Sequence, residues 1–342
     1  MKAKWAVLIL MILSLAAVPV LAQGPPAPPL SEKEVIDMLK SKQPHQETAA
    51  LIQQRGVDFE MTPDIEKKLR KAKAEDVFIE IVKKSSPSAR AASAAASGGT
   101  VVTAEEQRDM RAIQDELDPD RKIQLVKNFE TKHPNSALLT WALAMGASAY
   151  QQKGETAQVV EYGEKSLKLK SDNLMSLIIM AEMLPQPQLM KGSDAEKEQK
   201  LNQAEGYANQ ALQQIEQLPK QPNETEEQHQ KRKAELSKEP HSALGMIHLQ
   251  RSSMGLAGPD KDELAKAEQE YQLAVTTGGN PSAQDYYRLG ETRAFLNKVD
   301  EAIQAFTKAG ELGQGTVIQT YADQRVAELS KRKAQAPPAA KP

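Results

Sequence analysis

The side chains best suited to chemistry in this chain are five histidines, His45, His133, His229, His241 and His248, and a scatter of acids. His241 and His248 stand seven residues apart and so can share one face of a helix. Neither lies in an H-E-x-x-H arrangement, which argues against a metal site. His133 precedes Pro134 and reads as a solvent-facing turn residue. Paired acids such as Glu105-Glu106 and Glu226-Glu227 are neighbours in sequence, so on a helix they point to different sides. No G-x-S-x-G, P-loop or G-x-G-x-x-G is present. The absence of cysteine excludes disulfides, thiolate catalysis, cysteine-based zinc sites and a lipid anchor on cysteine. Asn223-Glu224-Thr225 matches a glycosylation acceptor, a pattern too short to decide anything alone. The expectation is a protein that is not an enzyme, with no catalytic residue, no metal and no cofactor.

The elements around these residues read as helices. Aromatics make up 4% of the 342 residues, and Ala, Leu and Gln are abundant, a composition that favours helix over a β-sandwich. Residues 1–22, MKAKWAVLILMILSLAAVPVLA, combine Lys2 and Lys4 with an apolar run and a small-residue cleavage pattern at Ala22. This is the form of a secretory signal peptide, and the expected location is periplasmic or secreted, without stable membrane insertion after cleavage. An uncleaved anchor is the competing reading, although the run is near the short end for a span. Removing the two lysines of this segment leaves 42 basic and 46 acidic residues, a formal charge of −4, without the positive field that nucleic-acid binding uses.

Residues 31–84 read as a small helical module. Ser31 to Glu34 spells a capping box, Gly56 a helix stop with Phe59 packed beneath it, and Thr62-Pro63 a third helix start. Val77, Ile79, Ile81 and Val82 suggest a fourth helix, and the charged run from Glu66 to Asp76 reads as a solvated face. Residues 85–102, rich in Ser, Ala and Gly, lack the large apolar side chains that would offset ordering entropy and read as a flexible linker. From 103 to 330 helix follows helix, and 331–342 read as a disordered tail.

Within the array the informative stretch is YYRLGETRAFLNKVDEAIQAFTKAG, Tyr286 to Gly310. Leu289-Gly290 is followed by Ala302, Phe306 and Ala309, at intervals of twelve, four and three residues from the glycine onward. Two helices joined by a short turn approach closely only where one lacks bulk, so small residues here mark crossings rather than a ligand loop. The pattern resembles the tetratricopeptide repeat, with a period of about thirty-four residues. Here Arg293 replaces the first-helix tyrosine and Gln314 the closing proline. Leu244-Gly245 with Ala267, Tyr271 and Ala274, and Ala181 with Ala204, Ala208 and Ala211, repeat the pattern with longer turns. The hairpin from Thr140 to Asn173 has Ala147 in place of the glycine and Gly163 in place of the aromatic, and a weak first hairpin covers Thr103 to Asn135. The implied fold is all-α: a small helical module, then a tetratricopeptide-like helical-hairpin solenoid with a polar-faced capping helix from Gln314.

The resemblance also implies a concave groove lined by the first helix of each hairpin, and a protein or peptide partner. Counting from the register places Trp141, Met175, Ile178, Glu182, Met246, Tyr287 and Glu291 there, with Gln151, Glu239 and Ser242 among the remaining lining positions. No lysine, asparagine or arginine occupies these positions, so capture of a terminal carboxylate is not expected; the apolar members suit a helix or extended peptide. Met175 and Ile178 lie in LMSLIIMAEML, apolar nearly all round, and read equally as core. The expected function is that of an exported scaffold or adaptor in a bacterial cell envelope. An accessory, chaperone-like factor for assembly or export of envelope proteins or polysaccharides is the alternative.

Overall fold

The computed structural model describes residues 29–41, 45–90, 102–221, 224–254, 258–278 and 280–335. The expected signal peptide, linker residues 91–101 and the tail beyond 335 lie outside them. The described residues are all-α; their β-type pairing is an isolated parallel bridge between Leu30 and Val57. Among them no helix is long and apolar enough to cross a membrane. The described residues divide into two compact units, the boundary falling between Ala149 and Tyr150.

In the first unit, α1 (Glu32–Lys40), α2 (His45–Arg55), α3 (Pro63–Lys71) and α4 (Asp76–Lys84) enclose a core of Val35, Leu39, Ile52, Val57, Leu69, Phe78, Ile79 and Val82. The sequence signals act as expected. The Ser31 amide donates to Glu34 Oε2 at 2.7 Å, the Glu34 amide donates to Ser31 Oγ at 3.3 Å, and Thr62 Oγ1 accepts from the Ile65 amide at 3.3 Å. Gly56 takes a positive φ of 74° at the end of α2, which a side chain would resist. Phe59 packs against the core. Val77 does not: it is 71% exposed, whereas Phe78, Ile79 and Val82 are buried, so the buried face of α4 begins one residue later than the sequence suggests.

Composition makes Ser85–Arg90 part of the linker, and the structure corrects this. Ser85 and Ser86 are buried, the Val57 amide donates to the Ser85 carbonyl at 3.0 Å, Ser88 donates to Glu60, and Arg90 donates to the Val57 carbonyl at 3.0 Å. Polar hydrogen bonds order this stretch without large apolar side chains. In the same unit follow α5 (Ala104–Asp115), opened by a Thr103–Glu106 capping box, and α6 (Pro119–Lys132). Met110, Ile113, Ile123, Val126 and Phe129 are buried there. Helix α7 (Leu139–Lys153) spans the division between the units.

The second unit continues with α8 (Thr156–Leu169), α9 (Leu174–Met183), α10 (Asp194–Glu216), α11 (Glu226–Ser252), α12 (Lys261–Thr276), α13 (Ala283–Phe295), α14 (Val299–Leu312) and α15 (Val317–Gln335). Each of α8 to α14 packs on the helix that follows it. The small residues sit at the crossings. A Cβ added to Gly290 in α13 would lie 2.8 Å from Cδ1 of Phe306 in α14, and one added to Gly245 in α11 would lie 2.8 Å from Cδ1 of Tyr271 in α12. Ala302, Ala309, Ala267 and Ala274 have no exposed surface. Two glycine–aromatic crossings with the same geometry make α11–α12 and α13–α14 tetratricopeptide-like hairpins. Where Gly163 replaces the aromatic in α8, the side chain of Met180 from the next first helix fills the space, and Met180 is fully buried.

The substitution at Arg293 is accommodated by polar contacts. Its guanidinium donates to Glu268 at 3.1 Å and Gln272 at 2.6 Å, both on α12. One hairpin departs from the expected register of starts. The register places its first helix from Lys238, but α11 begins at Glu226 behind a Thr225–Gln228 capping box and runs 27 residues through Pro240. Proline lacks the amide that would pair with the Leu236 carbonyl, and tertiary packing on both sides carries the helix past it. Helix α15 buries only Ala322 and Leu329, as a capping helix with one apolar stripe does.

Candidate functional site

The first helices of the second unit, α9, α11 and α13, bring their expected groove positions together through side-chain contacts. The Gln151 amide at the end of α7 donates to Glu182 Oε2 of α9 at 3.1 Å. Glu182 and Glu239 of α11 stand within hydrogen-bonding reach of one another. Ser242 of α11 donates to Asp285 Oδ1 of α13 at 2.5 Å. Three consecutive hairpins thus contribute one carboxyl each to a connected polar strip. Asp285 is buried, whereas Glu182 and Glu239 keep partial exposure from a recessed position.

Burial dominates the electrostatics of this strip. It pushes Glu182 up to about 7, against hydrogen bonds from Glu239 and Gln151 that pull the other way. Burial, followed by the charges of Glu182 and Asp285, pushes Glu239 well above the ordinary carboxylate range. Asp285 is raised for the same first reason and is opposed by Ser242 and by the Lys238 ammonium. Lys238 is itself buried, with its ammonium on the Asn280 carbonyl and 3.5 Å from Glu235. Further along α13, Glu291 is raised by burial, opposed by the charges of Arg288 and Arg325.

The expected apolar lining is largely withdrawn from the surface. Trp141, Ile178 and Met246 are 7%, 8% and 5% exposed, so their area is spent on packing inside the helices that carry them. Met175 and Tyr287 keep partial exposure, and the Tyr287 ring meets Phe306 edge-on at 5.2 Å between centroids. Glu182 and Glu291 remain partly exposed. The face that the first helices offer is therefore more acidic and less apolar than the sequence count suggests. Asp285 is not among the expected lining positions; it stands two residues before Tyr287. An aspartate in the first turn of a helix reads as a partner of the helix dipole, and nothing local distinguishes it from one.

Three of the five histidines, His133, His241 and His248, serve as structural partners of carboxylates, while His229 Nε2 lies 2.8 Å from the Leu218 carbonyl. His241 Nδ1 and His248 Nδ1 lie 2.7 Å from Glu270 and Glu263 of α12, two rungs with the same seven-residue spacing running in opposite directions. His133 is not the solvent-facing residue expected. Its side chain is 9% exposed, held by Asp109 at 2.8 Å and by the Phe129 ring at 4.8 Å. Among the described residues no group of three or more His, Asp or Glu is placed to hold a metal ion.

The crossings at Gly245 and Gly290, with helices stacked in sequence order, define a tetratricopeptide-like helical-repeat protein. No protein-family model matches the sequence, and no curated protein matches it. Among solved structures, a thermophilic TPR protein of Thermus thermophilus is similar to this chain. The likeness is at 16% identity, with a TM-score of 0.42, over 65% of this chain and 99% of the other. A likeness at that level decides nothing; the glycine–aromatic crossings carry the assignment of the fold.

Proposed function

We propose that this chain is a non-catalytic scaffold that binds a protein or peptide on the face formed by α9, α11 and α13, and that it acts in a bacterial cell envelope after export. One observation carries the reading. The first helices of three consecutive hairpins bring partly exposed Glu182 and Glu239 and buried Asp285 into one acidic strip. Lys2, Lys4 and the apolar run after them support export. The recession of Trp141, Ile178 and Met246 favours a defined partner over a promiscuous holder of unfolded chains, which needs adaptable apolar area.

The test compares the wild type with a Tyr287→Ala/Glu291→Gln double variant as bait in the envelope fraction of a secreting bacterium. Circular dichroism establishes that the two are equally helical. A protein retained by the wild type and lost with the double variant supports the reading. Equal retention by both baits refutes this face as the binding surface. The exported protein should begin at Gln23; a chain that keeps Met1 and sediments with membranes refutes cleavage.

A further inference from the structure

We propose that the Glu182–Glu239 carboxyl pair is a proton-dependent clasp between neighbouring hairpins, closed while the pair holds a proton and loosened when the proton leaves. The inference is independent of any partner. It begins with placement: α9 and α11 are the first helices of consecutive hairpins and pack directly on each other. Each presents one recessed glutamate to the other across that contact. A carboxylate only accepts hydrogen bonds, so two carboxyls can bond to each other only if one keeps its proton. Deprotonated, the pair places two negative charges side by side in a poorly solvated interface.

The neighbouring groups do not neutralise that charge. From α7, Gln151 supplies one amide donor to Glu182, and its Oε1 has no hydrogen-bond partner. From α13, Asp285 adds a third acid, already bonded to Ser242 and opposed by Arg288. From α11 itself, the Lys238 ammonium acts on Glu239, and it is shared with the Asn280 carbonyl, Glu235 and Asp285. That divided cation opposes the charge on Glu239, and Glu182 has the Gln151 amide. The shift of both glutamates above the ordinary carboxylate range agrees with this accounting. Because the folded state holds the proton more tightly than the unfolded chain, stability is fully present below the ordinary glutamate value of 4.5. It is lost as pH rises through the folded-state values, the first of them about 7.

Urea unfolding of the full chain is measured from about pH 5 to about pH 8.5 for the wild type, Glu239→Gln and Glu182→Gln. A glutamine at either position donates permanently to the remaining carboxylate. The wild type should lose stability across neutrality, its unfolding equilibrium constant rising by up to about tenfold per pH unit for one proton released. Each variant should lack that component and exceed the wild type at the alkaline end. Parallel pH profiles for all three proteins overturn the proposal. Hydrogen exchange on the wild type is a second readout that does not depend on the variants folding. Opening of α9 and α11, corrected for intrinsic exchange, should increase with pH more than that of α14. A uniform change along the chain refutes the clasp.

Discussion

Alanine at Gly290 is the sharpest probe of how these hairpins are built, because two effects of known sign oppose each other there. In a helix interior alanine is favoured over glycine by about 1 kcal/mol. At Gly290 the added Cβ would lie 2.8 Å from Cδ1, 2.9 Å from Cε1 and 2.9 Å from Cγ of Phe306. That ring cannot step aside: it is fully buried, with Tyr287 against its edge at 5.2 Å and the Arg325 guanidinium 5.7 Å from its centroid. Overpacking of a closed core costs about 1–3 kcal/mol, so the net expectation for Gly290→Ala is a loss of about 1 kcal/mol. Gly206, exposed in the middle of α10 with nothing within 4 Å of its added Cβ, is the internal control. There the same substitution should stabilise by about 1 kcal/mol. Urea midpoints at fixed m-value read both. In a Phe306→Ala background, itself costing about 3–5 kcal/mol, the clash has no partner and Gly290→Ala should become neutral or favourable. An equal gain from Gly290→Ala and Gly206→Ala, or no coupling between Gly290 and Phe306, would refute the crossing.

Two further outcomes follow from burial and ion pairing. Trp141→Ala should cost about 3–5 kcal/mol in urea unfolding, since the indole is 7% exposed; unfolding near the parent midpoint would return Trp141 to an exposed groove. Glu224 is bound by the Arg232 guanidinium at 2.8 and 2.9 Å, which pulls its carboxyl down to about 2. Its contribution is therefore present above the unfolded value of 4.5 and lost as pH falls from there toward 2. Arg232→Gln should remove that part of the acid limb, and identical acid profiles for variant and parent would refute it.

The helical class, the caps and the hairpin code are legible in the order of residues alone. These signals are local: Ser31 with Glu34 and Thr62 with Pro63 act within one turn, so spacing suffices to read them. Gly290 and Phe306 are distant enough to need a family pattern, yet the pattern is periodic and survives as spacing. Tertiary structure decided everything that depends on which face meets which neighbour. Composition made Ser85–Arg90 a linker, but hydrogen bonds to Glu60 and Val57 hold it in the module. Local rules of helix breaking would stop α11 at Pro240, yet packing against α9, α10 and α12 continues the helix through it. Trp141, Ile178 and Met246 fill the register positions of a groove but lose their surface to packing, because a position fixes a direction and not the distance to what lies there. The acidic strip is the extreme case. Glu182, Glu239 and Asp285 lie far apart along the chain, and only the stacking of α9, α11 and α13 brings three ordinary carboxyls into one strip.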